Sequence, residues 1–321
     1  MSRDAQTFGD VTAEYLAVRN GAGLTAGRHD LVSVRGTDAE SFLQGILSQD
    51  VIALPDGGVG RSLLLGADGK LRAILWVLKG ETEIILVADG GRGELVAAEL
   101  GRYVFRVDAV VEPVAGEMLC VWGPFAGAVL EKAKLPKPAG WVRSSNHLIA
   151  RLPLGGLARY LVVGADRQDL ESAGARRVGS LAVDAVRVEA GEPVMGRDVD
   201  EKTIPQESGL VPETVSFTKG CFLGQELVAR IDSRGHVNRL LRGIVIRTNV
   251  LPPEHAELLA GGAVVGRITS VSESLTLRAP VGLALVRREV EPGSPIEIRW
   301  EGGSAPATVH SVPLCEFTES F

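Results

Sequence analysis

Phe217-Thr218-Lys219-Gly220-Cys221-Phe222-Leu223-Gly224-Gln225-Glu226 is the densest polar cluster in this 321-residue chain, and it runs on through Arg230 to Ser233-Arg234-Gly235. Gly220 and Gly224 bracket a cysteine, and a cation stands two residues before it. Lys219 would lower the pKa of the Cys221 thiol electrostatically. A helix beginning at Gly220 or Cys221 would act in the same direction through its N-terminal dipole. A thiolate formed this way attacks electrophiles or binds a soft metal. The competing reading makes Cys221 a small buried residue and Gln225 a helix cap or surface group, since buried free cysteine is common.

Downstream, Arg230, Arg234, Arg239 and Arg242 form a basic run. It reads as a solvated helix face, with a polyanion-binding role as the alternative. Beyond Leu240 come short alternating runs at 243–248, 263–271, 281–286, 295–300 and 307–312, whose spacing predicts a small β-barrel. Upstream, the residues from Gly191 to Ser216 are rich in Gly, Pro and acidic side chains, a long connection for a compact domain. It is preceded by Arg187-Val188-Glu189-Ala190-Gly191. A buried Glu189 carboxylate can accept paired N–H bonds from a ligand such as a pteridine ring. The alternative is a solvated carboxylate before a turn. The segment 180–190 fits helix and strand periods alike.

The first half of the chain alternates short elements. Leu31–Val34 reads as a strand, followed by a helix over 38–47 with Thr37 and Glu40 as a capping box. Strands are expected at 61–65, 71–78 and 83–88, the first two joined by the turn Ala67-Asp68-Gly69-Lys70. Helices are expected at 94–104, 126–134 and 167–175, and strands at 106–111, 117–122, 147–152 and 159–163. This order is α+β, not a regular βαβ repeat.

Composition narrows the function classes. A hydrophobic fraction of 45% and a charged fraction of 23% describe a globular chain with a core. The formal charge of −6 argues against a general electrostatic grip on nucleic acid. No apolar run reaches membrane-span length, and residues 1–10 lack the apolar segment of a secretory signal. Cys120, Cys221 and Cys315 are sparse and unevenly spaced, which fits a reducing cytoplasm and excludes a self-contained all-thiolate metal site. His29, His147, His236, His255 and His310 show no metal-ligand spacing, so no metal site is expected.

The Lys219–Glu226 stretch resembles the motif of the YgfZ family, which is related to the glycine cleavage system T-protein. Other pieces occur in the matching order: Gly36-Thr37-Asp38 with Phe42-Leu43-Gln44-Gly45, Leu64-Leu65 through Asp68-Gly69-Lys70, and Arg187 to Gly191 with Pro205 and Glu207. The resemblance spans roughly residues 30–245.

The resemblance implies a GcvT-like, folate-binding α+β fold with mixed and antiparallel sheets over 1–240 and a C-terminal β-barrel over 241–321. It implies tetrahydrofolate or a one-carbon derivative as cofactor. It also implies a cytoplasmic accessory role in assembly or repair of iron–sulfur proteins, including tRNA-modifying enzymes, with client or assembly proteins as partners. Glu189 matches the carboxylate of the folate-site strand that holds the pterin. His29 and Val183 fall where some relatives place tryptophans beside the folate. Cys221 and Lys219 become the candidate catalytic pair, and Gly220, Phe222, Gly224, Gln225, Glu226 and Arg230 complete the motif. T-proteins carry an acidic pair, including the catalytic Asp, at positions matching Arg72 and Ala73. That departure weighs against the alternative activity, folate-dependent aminomethyl or methyl transfer.

Overall fold

The computed structural model describes residues 5–317. Two antiparallel and mixed sheets pack face to face, each backed by helices, and a barrel follows them. The first sheet has five strands in the order Val59–Leu65, Leu71–Lys79, Glu83–Asp89, His29–Arg35, Val110–Val114. Alternation sends Val32, Val34, Leu75, Val77, Ile84 and Leu86 to one face, where helices Ala39–Ile46 and Gly93–Gly101 cover them. The other face carries Leu31, Leu78, Ile85 and Val87.

The second sheet has six strands in the order Arg176–Arg177, Gly23–Ala26, Met118–Trp122, Arg159–Val163, Leu148–Arg151, Trp141–Arg143, and its first pair is parallel. Leu119, Val121, Tyr160 and Val162 face the helices Ala126–Lys132 and Arg167–Ser172. Cys120, Trp122, Ala150 and Leu161 face the first sheet and share its inner core. Helices Val11–Asn20 and Ser180–Ala190 contribute Tyr15, Val18, Ala182, Ala185 and Val186 to the same core.

The barrel is closed by six strands: Arg239–Ile246, Glu257–Ala260, Ala263–Ser274, Ala279–Arg287, Pro295–Trp300 and Gly303–His310. Closure leaves no free sheet edge there. The strand Glu257–Ala260 is absent from the spacing expected for the barrel. Its four residues directly precede the Gly261-Gly262 turn and pair with Ala263–Ser274 across a bulge.

Several local expectations are corrected. The residues 180–190 form a helix, so the element bearing Glu189 is not a strand. Gly191 ends it in the left-handed conformation, at φ +74°. Thr37 and Glu40 make no capping box. The helix Ala39–Ile46 is preceded by Asp38, whose side chain does not cap it, while Thr37 bonds Asp108 and Glu40 pairs with Lys79. Helix Val11–Asn20 and strand Gly23–Ala26 precede the element first expected at Leu31.

Candidate functional site

Glu189 is fully buried on the last turn of helix Ser180–Ala190. Its Oε1 accepts the Tyr15 hydroxyl at 2.6 Å and the Ser274 hydroxyl. Its Oε2 is sealed from solvent, accepts no hydrogen bond, and lies 3.5 Å from the Arg19 guanidinium. These partners come from separate regions: the N-terminal helix, the barrel strand Ala263–Ser274 and, at the Glu189 carbonyl, the Leu314 amide at 2.6 Å. Cys315 stands beside this group. Burial, then the Glu189 charge, pushes its thiol pKa up. Burial, then the hydrogen bond to Glu189, raises Tyr15 further above the ordinary phenol value, so Tyr15 keeps its proton and donates to Glu189. Val183 is half-buried on the same helix and packs on the inner core with Leu275 and Phe317.

A second polar group lies between the sheets. Arg61 and Trp76 are direct cross-strand partners, as are His29 and Asp89, and Trp122 and Arg159 on the facing sheet. Arg61 bridges Glu192 at 2.8 Å and Glu213 at 3.1 Å. Asp89 accepts the Met195 amide at 3.0 Å, and burial raises its carboxyl pKa. Arg159 is 5% exposed and donates from Nε to the Leu152 carbonyl at 2.8 Å. Burial, then the Arg159 charge, pushes His29 down to about 3, so its ring is neutral. His29 Nδ1, Arg61 Nε and Arg159 Nη2 are buried with no hydrogen-bond partner. Sequence reading found only His29 of this group. The others are single residues on strands distant in the chain, and only sheet register brings them together.

The Lys219–Glu226 stretch forms a third region. Cys221 is exposed on a loop, four residues before helix Gln225–Arg234 begins, so no helix N-terminus acts on its thiol. Its exposure also excludes the reading of a buried small residue. Lys219 Nζ donates to the carbonyls of Gln44, Leu47 and Gln49 at 2.6, 2.7 and 2.8 Å. These three bonds use all three ammonium protons, leaving none for Cys221. Burial lowers Lys219 to about 8.

Phe222 is buried among Leu63, Leu65, Leu71 and Val228, and its amide donates to Gln225 Oε1 at 3.1 Å. Glu226 and Arg230 form an exposed ion pair one helical turn apart. Gly220 has open space around it. Gly224 is left-handed at φ +76°, and a Cβ there would meet the Gly66 carbonyl oxygen at 2.5 Å. The motif loop is thus clamped onto the hairpin turn 66–70. At the hairpin, Arg72 pairs with Asp68 at 3.2 Å and Ala73 is buried. Among the described residues, no hydrogen bond, ion pair or ring contact joins Cys221 to Glu189. The side chain of Arg234 lies outside the described residues.

Residues 3–139 match the family model of the GCVT N-terminal domain, and residues 239–315 match that of the glycine cleavage T-protein C-terminal barrel domain. The two matches lie in the order of the two domains of glycine cleavage T-proteins. The chain is similar to an aminomethyltransferase of Alkaliphilus oremlandii, 27% identical over 91% of this chain and 86% of that one. An aminomethyltransferase of Rubrobacter xylanophilus is 28% identical, over 96% and 86% respectively. The glycine cleavage system aminomethyltransferase T of Bartonella henselae superposes with a TM-score of 0.89 at 26% identity, covering 96% of this chain and 90% of that one. The α+β fold with its closed barrel is thus the T-protein fold. No helix of the described residues is long and apolar enough to cross a membrane. Among those residues no group of three or more His, Cys, Asp or Glu is arranged to hold a metal ion.

Proposed function

We propose that this protein binds tetrahydrofolate or a one-carbon derivative, with Glu189 reading the N–H edge of the pterin. The observation that carries this reading is the sealed Glu189 Oε2, which accepts no hydrogen bond. Oε2 is held only by the Arg19 ion pair at 3.5 Å, and a ligand N–H aimed at it would add a charge-assisted hydrogen bond of about 1.5–3 kcal/mol. Tyr15 and Ser274 hold the other oxygen and fix the carboxylate plane. Bound tetrahydrofolate would supply nitrogen atoms that carry one-carbon units; the chain's own part is to bind and orient them.

Two uses of the folate follow from different observations. Relatedness favours one-carbon transfer, because the relatives named above are aminomethyltransferases. This reading has support at least as strong as its competitor. The competitor is an accessory role toward iron–sulfur proteins and dependent tRNA-modifying enzymes. It rests on the exposed Cys221 held on a clamped loop and on hairpin positions Arg72 and Ala73, where no carboxylate stands.

Calorimetric titration with 5-formyltetrahydrofolate, beside Glu189→Gln, tests the shared part. Saturable binding is expected, weakened by at least about tenfold in the variant, the equivalent of about 1.4 kcal/mol. Absence of binding by the intact protein would end the folate reading. Formaldehyde-producing or aminomethyl turnover with tetrahydrofolate would decide for transfer. Loss of iron–sulfur enzyme activity in a Cys221→Ser strain, with the protein still folded, would decide for the accessory role.

A further inference from the structure

We propose that residues 315–317 form a strap that fills the ligand seat beside Glu189 and must swing away before a pterin can reach Oε2. The proposal rests on the folate reading and states how that site is gated. Glu189 is fully buried and its Oε2 is sealed, so a ligand needs an opening. Tyr15, Arg19 and Ser274 close on the carboxylate from helix Val11–Asn20 and barrel strand Ala263–Ser274. The C-terminal residues 311–317 close on it as well, and they form no helix or strand. This segment divides at Leu314. Val312 and Leu314 pack with Val188 and Leu241. A Cβ on Gly191 would stand 2.3 Å from Val312 Cβ, and one on Gly243 would stand 2.4 Å from a Leu314 methyl, so two glycines make room for these side chains. The Leu314 amide donates to the Glu189 carbonyl at 2.6 Å. That half is the anchor. Past it, Arg19 Nη2 donates to the Glu316 carbonyl at 3.2 Å in an exposed bond, and the half-buried Phe317 ring lies 4.3 Å from the Arg19 guanidinium carbon. An exposed hydrogen bond and a cation–π contact hold a chain end loosely, and such ends open locally while the core stays folded.

The Phe317 ring stands where a flat ligand would. Arg19 Nη1 lies 3.5 Å from Glu189 Oε2, and the ring covers that same guanidinium. A phenyl ring satisfies the face of Arg19 and nothing else: Arg19 Nη1 and Glu189 Oε2 both stay sealed without a hydrogen-bond partner. A heteroaromatic ring in its place keeps the stacking, brings an edge N–H to Oε2 and offers a ring carbonyl to Nη1. Ring and ligand thus compete for one seat. The apparent affinity of the intact chain is then its intrinsic affinity reduced by the fraction of molecules whose strap is open. Cys315 lies between anchor and ring. It is buried, and its thiol faces the Ser274 hydroxyl that also serves Glu189.

Two thiols report on strap and core separately. Cys315 belongs to the strap, and Cys120 lies in the inner core between the sheets. Burial holds the closed Cys315 thiol above its ordinary pKa, so its alkylation reads the open state. Iodoacetamide labelling of the native full chain, resolved by peptide mass spectrometry, should modify Cys315 at least tenfold faster than Cys120. Phe317→Ala should speed Cys315 at least threefold and leave Cys120 unchanged. Phe317→Leu, which keeps apolar bulk but loses the ring over Arg19, guards against a misfolded alanine variant and should move the rate the same way. Equal rates at Cys315 and Cys120, or a Cys315 rate that neither variant moves, would overturn the strap. Calorimetry with 5-formyltetrahydrofolate reads the competition. Phe317→Ala should bind at least threefold more tightly than the intact chain, and saturating ligand should speed Cys315 labelling. Equal or weaker binding by Phe317→Ala, or protection of Cys315 by the ligand, would overturn the proposal by making Phe317 a wall of the site. Absence of binding by both proteins would end the folate reading, and the labelling rates would still decide whether the strap opens on its own.

Discussion

At the scale of single residues, Lys219 shows how position in sequence and role in space diverge. It stands two residues from Cys221, yet its ammonium group faces three carbonyls in the segment 44–49. Removing a charged donor from three part-buried carbonyls is expensive, so Lys219→Met should destabilise the protein by about 1–3 kcal/mol in denaturant unfolding. Cys221 itself is exposed, whereas Cys120 and Cys315 are buried. Native protein should therefore present one fast thiol to Ellman's reagent, and unfolded protein all three. His29 gives a pH signature. Its folded pKa of about 3 lies below the ordinary 6.5. The unfolded chain takes up a proton below 6.5 that the folded chain refuses, so stability due to His29 is complete above 6.5 and falls as pH drops toward 3. The slope is about 1.4 kcal/mol per pH unit. Asp89, opposite it, has a raised pKa and works with the other sign in the carboxylate range. Comparing urea midpoints near neutrality and at about pH 4.5, His29→Gln should flatten the acid limb.

At the scale of elements, the clamp between the motif loop and the hairpin turn rests on Gly224. Its backbone is left-handed, and a Cβ added there would stand 2.5 Å from the Gly66 oxygen, so no side chain fits. Gly224→Ala should cost more than the roughly 1–2 kcal/mol of left-handed backbone strain alone. Gly220→Ala, in open space, should stay within about 0.5 kcal/mol. Paired unfolding curves of the two variants check this. The elements that sequence reading recovered include the nearly continuous apolar strands around Leu63, Val77 and Leu86, buried on both faces, and the helix carrying Phe42, Leu43 and Ile46 on one face. Helix Val11–Asn20 escaped because its buried side mixes Glu14 with Tyr15 and Val18. Helix Ser180–Ala190 stayed ambiguous because Arg187 and Glu189 are buried along with Ala182, Ala185, Val186 and Val188, so polarity did not mark a wet face. Glu189 was legible as a candidate from its surrounding motif. The Arg61–Arg159 layer was not, since its members share a register across sheets and no local pattern.

At the scale of the whole molecule, the barrel is joined to the sheet layers through a buried polar network. Arg187 donates to Asp198 at 2.8 Å and to the Ser270 hydroxyl at 2.7 Å, and Asp198 accepts Thr269 and Ser270 at 2.6 Å each. Asp198→Ala would remove the buried carboxylate partner of Arg187 and leave it only the partly exposed Asp184 carboxylate at 3.3 Å. A loss of about 3–5 kcal/mol is expected, read as a lower calorimetric midpoint. The enclosure of Glu189 has the same long reach, drawing on Tyr15, Ser274 and the Leu314 amide. A ribosome completes residue 189 well before it reaches 274 and 314. At ordinary elongation rates the nascent chain therefore carries an unclosed glutamate for on the order of ten seconds. On the proposed folate reading, fragments that stop short of the barrel lack the enclosed carboxylate, and translation itself delays the moment at which the site is complete.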